Sequence, residues 1–379
     1  MTNGLEDQKK IKVLQINAGS IYFGGVSAFL YNVFKYIDKE QVIFDFLSPD
    51  KTTYGIVEDE LKEYGCNIVE LGILGGGKKH IKLYVGLKKY LREHKYDIIH
   101  INSGGPIFNY IVMMAAWKAN IQNIIVHSHN DDSHESWVKN MVFNYIRPQF
   151  EKKAKVLFAC SNNAGKFMFG KSKYTVIKNG INLERFKFDI EKRKELRNNE
   201  NIKEEQKVIG FCGRLTYQKN PLFVLEIFKE ISLKMANSVF WMIGEGDLLG
   251  EVKNKIDSLG LSESVRLYGV RSDVNVLMQG MDAILMPSIY EGLGIVAIEA
   301  QAAGLPIVAS DRIPQETNVS SHIIYKSLDD SSEDWATATI EHIKNNCRDR
   351  SVITSQLQEY DINTVSSKIL NIYKGMVEF

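Results

Sequence analysis

Short apolar runs alternate with stretches of helical spacing along this chain, and that alternation restricts its fold more than any other feature. Ile11 to Ile16 (IKVLQI), Val42 to Leu47, Asn67 to Leu71, Ile98 to Ile101, Ile121 to Val126, Lys155 to Ser161 and Tyr174 to Ile177 read as strands. Helical patterns over Ser27 to Tyr36, Tyr54 to Tyr64 and Ile81 to His94 fall between them. The scheme resumes with Val208 to Phe211, Val239 to Ile243, Val265 to Leu267, Ala283 to Met286 and Ile307 to Ala309. Apolar strands separated by helices predict an α/β chain of doubly wound, mostly parallel sheets covered on both faces. Ligands in such sheets bind at the carboxyl ends of strands. A length of 379 residues predicts two such domains. Leu183 to Gln206, highly charged and without a buried pattern, reads as the connection into the second; the chain closes on a helical stretch, Thr364 to Val377.

Charge and cysteine usage narrow the partners. The formal net charge of +1 argues against nucleic acid as a bulk partner, since phosphate-backbone binding leaves a basic excess. Cys66, Cys160, Cys212 and Cys347 form no pair of metal spacing and read as free buried thiols in a reducing, cytoplasmic setting. The polar start MTNGLEDQKK lacks a signal-peptide core, and no apolar run approaches a membrane span, Tyr110 to Trp117 coming nearest. A membrane would therefore be met from its cytoplasmic face. Residues 78–95 carry Lys78, Lys79, Lys82, Lys88, Lys89, Arg92 and Lys95 against the single acid Glu93, with Leu83, Tyr84, Leu87 and Leu91 at helical spacing. Such a helix either lies on anionic lipid or packs by its stripe and solvates its charges.

The stretch PSIYEGLGIVAIEAQAAG (Pro287 to Gly304) carries the sharpest chemistry. It leaves a strand, turns through Pro287, Ser288 and Gly292, and enters a helix from about Gly294 to Ala303. At such a turn the N–H groups of Leu293, Gly294, Ile295 and Val296 and the helix dipole favour an anion. Glu291 and Glu299 bracket it, and carboxylates accept hydrogen bonds from sugar and ribose hydroxyls. An ordinary turn with two solvated glutamates has the same local pattern. Arg214 and Lys219 flank a second strand-to-helix turn, where two cations can neutralise a diphosphate. His127 and His129 stand at a strand end, on one face, with no third metal ligand apparent in the sequence. Asn17 to Val26 is a small-residue loop without a dinucleotide fingerprint.

EGLGIVAIEA resembles the E-x7-E donor motif of the family 4 glycosyltransferases, which have the GT-B fold. Similarity continues at GRLTYQKNP (Gly213 to Pro221), IGEGD (Ile243 to Asp247), YGVRSD (Tyr268 to Asp273) and KNGIN (Lys178 to Asn182), in the family's order. The resemblance implies two Rossmann-like domains facing across a cleft. Residues 1–182 with a crossing helix at 364–379 would form the acceptor side, and 183–363 the donor side. It implies retaining transfer of a sugar from a nucleotide diphosphate sugar, with a UDP-sugar the expected donor, to a hydroxyl of a glycan or lipid-linked acceptor.

By the same resemblance Glu291 holds sugar hydroxyls and Glu299 the ribose, Arg214 and Lys219 stabilise the leaving diphosphate, and His129, or else His127, touches the sugar. Gly24 and Gly25 face the donor phosphates, and backbone groups at Val270 and Arg271 hold the base. No Asp-x-Asp triplet lies between apolar strands, so no essential metal or other cofactor is expected. The segment SDRIPQETNVSSHIIYKSLDD departs from the commonest family pattern and looks like a subgroup associated with capsular and exopolysaccharide synthesis. A nucleotide-sugar epimerase or phosphorylase on the same fold, and a silent nucleotide-sugar-binding subunit, are the rival readings.

Overall fold

In a computed structural model, residues 9–17, 25–50, 54, 57–73, 78–102, 105–129, 137–346 and 353–377 are described, 137–140 by backbone alone. Two compact units emerge: Met1–Gly180 with Ile362–Phe379, and Ile181–Asp361.

The first unit is built on seven parallel strands. These are β1 (Ile11–Ile16), β2 (Val42–Ser48), β3 (Ile68–Glu70), β4 (Ile98–Ile101), β5 (Ile124–Ser128), β6 (Val156–Ala159) and β7 (Thr175–Val176), in spatial order β3-β2-β1-β4-β5-β6-β7. Alternate residues feed two cores. Val13, Ile98 and Ile125 face one side, while Leu14, Ile16, Ile99, Ile101, Ile124 and Val126 face the other. The C-terminal helix Ile362–Val377 belongs to this unit and covers the first face with Ile362, Val365, Ile369, Tyr373 and Met376. Each aliphatic side chain so buried contributes about 1.5–3 kcal/mol, which is why a helix so distant in sequence joins this core.

The second unit holds six parallel strands, β8 (Lys207–Cys212), β9 (Ser238–Ile243), β10 (Val265–Gly269), β11 (Ala283–Met286), β12 (Ile307–Ser310) and β13 (Ile323–Lys326), in order β10-β9-β8-β11-β12-β13. In both units the order reverses beside the first strand, between β1 and β4 and between β8 and β11, as in the Rossmann fold.

Two expectations need correction. The charged segment 183–206 is not a featureless connection: it contains helices Leu183–Phe186 and Ile190–Asn199 and enters the core of the second unit. Its charges are internal anchors. Arg197, 5% exposed, donates to the carbonyls of Lys203 (2.7 Å), Gln206 (2.6 Å) and Gly280 (3.1 Å) and pairs with Asp282 at 3.2 Å. Arg193 caps the carbonyls of Gln279, Gly280 and Met281 and meets the other oxygen of Asp282. Strand β5 also begins and ends later than its apolar run predicts, so His127 lies inside the strand.

The Lys79–Glu93 helix buries Leu83, Leu87 and Leu91 and leaves its cations outside. Among the described residues no helix is long and apolar enough to cross a membrane.

Candidate active site

The best-formed arrangement lies at the switch point of the second sheet. Loops leaving β8, β9 and β10 are stitched by backbone bonds: Gly213 N–H to Ile243 O (3.0 Å), Leu215 N–H to Glu245 O (2.9 Å) and Gly244 N–H to Gly269 O (2.8 Å). Their approach leaves no room for a side chain at Gly244, whose Cβ would sit 2.0 Å from the Gly213 carbonyl oxygen. Arg214 projects from this knot, exposed, and among the described residues its guanidinium makes no ion pair.

Lys219 closes a single 3-10 turn, Tyr217–Lys219, ahead of a helix that starts on Pro221. Its ammonium pairs with the Oε1 atom of Glu291. Side-chain exposures of 17% and 6% place that pair largely out of water, where the attraction is screened little. Ser288, buried, donates to the same oxygen at 2.7 Å, and its own carbonyl accepts from Ser310 Oγ at 2.5 Å. Gln218 fastens the two turns from the other side, accepting from Ile289 N–H (2.8 Å) and donating to Tyr290 O (3.0 Å). Sequence reading finds Lys219 and Glu291 but not Ser288 or Gln218; the signal for Ser288 was its place three residues before Glu291, in the same turn.

The following helix runs Ile295–Ala302 and starts from Gly294 in the left-handed region (φ 72°), a conformation that glycine adopts without strain. Among the described residues, the N–H groups of Leu293, Gly294, Ile295 and Val296 find no acceptor. They form an unfilled anion cradle beside Lys219 and Glu291. Glu299 lies in that helix, and loss of solvent raises its carboxyl to about 7, with the Arg185 guanidinium acting in the opposite sense. Burial, helped by Glu299, likewise pushes the Cys212 thiol up. Val270 is 75% exposed, and Arg271 is engaged by Asp273 through two bonds of 2.7 and 2.6 Å,.

In the first unit, His127 and His129 end up together, as their spacing predicts, with ring centres 3.9 Å apart and Phe29 at 5.4 and 5.1 Å. A third imidazole that sequence reading missed, His100 on β4, stacks on His127 at 5.4 Å. Desolvation lowers the pKa of all three rings, to about 3 for His100 and His129, so they are neutral at physiological pH. His127 is wholly buried and neither of its ring nitrogens has a partner, while His129, partly exposed beyond the strand end, is set between Asn102 and Asn179. A buried nitrogen left unpaired costs about 1–3 kcal/mol. Gly25 opens the Gly25–Tyr36 helix, whereas Gly24 lies outside the described residues. Among the described residues no group of three or more His, Cys, Asp or Glu is placed to hold a metal ion.

Residues 23–185 match the model of Glycosyltransferase Family 4, and residues 192–352 match that of Glycosyl transferases group 1. The chain belongs to the group 1 and family 4 glycosyltransferases. EpsF of Bacillus subtilis (strain 168), named as a glycosyltransferase, is 25% identical over 380 residues, covering 97% of each chain. An Escherichia coli enzyme, UDP-Gal:alpha-D-GlcNAc-diphosphoundecaprenol alpha-1,3-galactosyltransferase, is 30% identical over 244 residues, 62% of each chain. Among solved structures, Anabaena HepE in complex with UDP-glucose matches with a TM-score of 0.76 at 18% identity, over 96% of this chain and 100% of that one. The two Rossmann-like units are thus those of a GT-B glycosyltransferase, an enzyme that transfers sugars.

Proposed function

We propose that this glycosyltransferase moves a sugar from a nucleotide diphosphate sugar, with UDP as the nucleotide, to a hydroxyl of a glycan or lipid-linked acceptor during capsular or exopolysaccharide synthesis. The Lys219–Glu291 pair, set beside four unfilled N–H groups, is the observation that carries this reading. It offers a cation and amide dipoles to a diphosphate and a carboxylate to sugar hydroxyls, within one turn-to-turn contact. The relatives named above support it through a UDP-galactose donor, a diphosphoundecaprenol acceptor and a UDP-glucose complex.

Departure of the diphosphate is the step such a site assists most. Negative charge grows on the β-phosphate as the anomeric bond breaks, and Arg214, Lys219 and the N–H groups of Leu293 to Val296 bind that charge more tightly in the transition state than in the ground state. When donor binds, Lys219 exchanges part of its contact with Glu291 for phosphate, freeing the carboxylate for the sugar. Glu299 takes the ribose hydroxyls, and His129 contacts the sugar from the first unit. With two cations at the leaving group the reaction needs no divalent metal. Retention of configuration follows the family, and no side chain is assigned as a covalent nucleophile.

Glu291→Ala, and separately Arg214→Ala combined with Lys219→Ala, are expected to cut kcat by about a hundredfold or more with the thermal transition within a few degrees of wild type. Wild-type turnover in either variant would remove the site from this turn.

A further inference from the structure

A chain of hydrogen bonds runs from the C-terminal helix to His129, and its polarity can be read atom by atom. Tyr373, wholly buried, comes from that helix; Gln15 lies on β1, His100 on β4, and Asn102 follows β4 directly, all at most 1% exposed. Asn102 Nδ2 donates to Gln15 Oε1 (2.8 Å) and to the His100 carbonyl (3.1 Å), two groups that can only accept. The amide of Asn102 therefore has one orientation, with Oδ1 turned to His129 Nε2 at 3.5 Å. With its oxygen so used, Gln15 donates through Nε2 to Tyr373 Oη (3.0 Å). The Tyr373 hydroxyl then gives its proton to His100 Nδ1 (2.6 Å), which makes His100 the Nε2–H tautomer. Every proton in the chain is assigned without a conflict.

We propose that Tyr373, Gln15 and Asn102 are positioning residues that hold His129 as its neutral Nε2–H tautomer. The Nε2 proton goes to Asn102, and Nδ1 is left as the acceptor, the role that a hydroxyl donor of the sugar requires. Burial keeps the ring uncharged, so the tautomer is set by partners rather than by pH. The helix that completes the first unit's core thereby also orders a side chain at the end of β5. The functional half of the inference rests on His129 contacting the donor sugar; the tautomer itself does not.

The test is a long-range proton–nitrogen correlation spectrum of full-length protein carrying nitrogen-15 histidine, with His129 assigned by its disappearance in His129→Gln. At pH 7 the account expects a protonated Nε2 and a lone-pair Nδ1 for His129. A protonated Nδ1 overturns it whatever the enzyme does. Tyr373→Phe keeps the ring and removes the hydroxyl. It is expected to change the His100 pattern, mix that of His129, and lower kcat about two- to tenfold, the factor a neutral hydrogen bond supplies, with the donor KM within about twofold. Unchanged spectra and unchanged kcat in Tyr373→Phe also overturn it, and if that variant does not fold, the wild-type spectrum still decides. His129→Ala with wild-type kcat/KM would instead remove His129 from the donor site while leaving the tautomer assignment intact.

Discussion

Glu291 and Glu299 stand eight positions apart in one motif, yet the fold gives them opposite surroundings. Glu291 meets an ammonium and a hydroxyl; Glu299 is enclosed without a hydrogen-bonding partner among the described residues, and desolvation lifts it to about 7. Because its folded pKa lies above the unfolded value of about 4.3, the stability tied to this group is full at acid pH and is lost as pH rises through 7. Donor binding runs the other way, since only the carboxylate is a full acceptor for the ribose. From pH 6 to 8 the ionised share rises about tenfold, so the affinity for a UDP-sugar, whose diphosphate stays charged throughout, is expected to rise by up to that factor. Calorimetric titration across this range should show the rise in wild type and a flat profile in Glu299→Gln; the same slope in both would place the ribose elsewhere. The sequence shows the two carboxylates and their spacing, but burial is not local: it comes from β8 and from the 183–186 helix, neither of which is near Glu299 in the chain. For the same reason His127 and His129 were legible as a pair while His100, 27 residues before His127, was not.

At the scale of elements, strands were read where both faces are buried, because those give unbroken apolar runs. Strand β13 has only Ile323 buried and lacks such a run, and the 190–199 helix hides its anchoring role in arginines whose partners, Asp282 and the carbonyls before it, lie more than eighty residues away. The Lys79–Glu93 helix could be read from its stripe alone. Opposite that stripe it exposes Ile81 (64%) and Val85 (53%) beside Lys78, Lys79, Lys82 and Lys89, apolar and cationic groups on one outer face, as a membrane-surface helix requires. We expect vesicles containing anionic lipid to retain the protein. With about 1 kcal/mol per cation, reversing Lys78, Lys79 and Lys82 to glutamate should weaken retention by roughly two orders of magnitude. Equal retention on neutral vesicles would remove this helix from the account.

For the whole molecule, the alternation of strands and helices was sufficient to predict doubly wound parallel sheets, because continuous apolar strands have few other stable arrangements. Which strand lies beside which was not legible from that pattern, and the site depends on it. Lys219 and Glu291, 72 residues apart, meet because β8 and β11 are neighbours where the strand order reverses. The central claim is that this meeting point binds a nucleotide diphosphate sugar through protein cations and amides alone. Its most direct test is the thermal transition of the full-length protein with UDP, GDP and their common sugar conjugates, with and without EDTA. At a hundred times Kd a bound donor stabilises by about 2.7 kcal/mol, a shift of several degrees. The account predicts such a shift with one nucleotide class, unchanged by EDTA and lost in the Arg214→Ala, Lys219→Ala double variant. No shift with any donor, or one that EDTA abolishes, would contradict it.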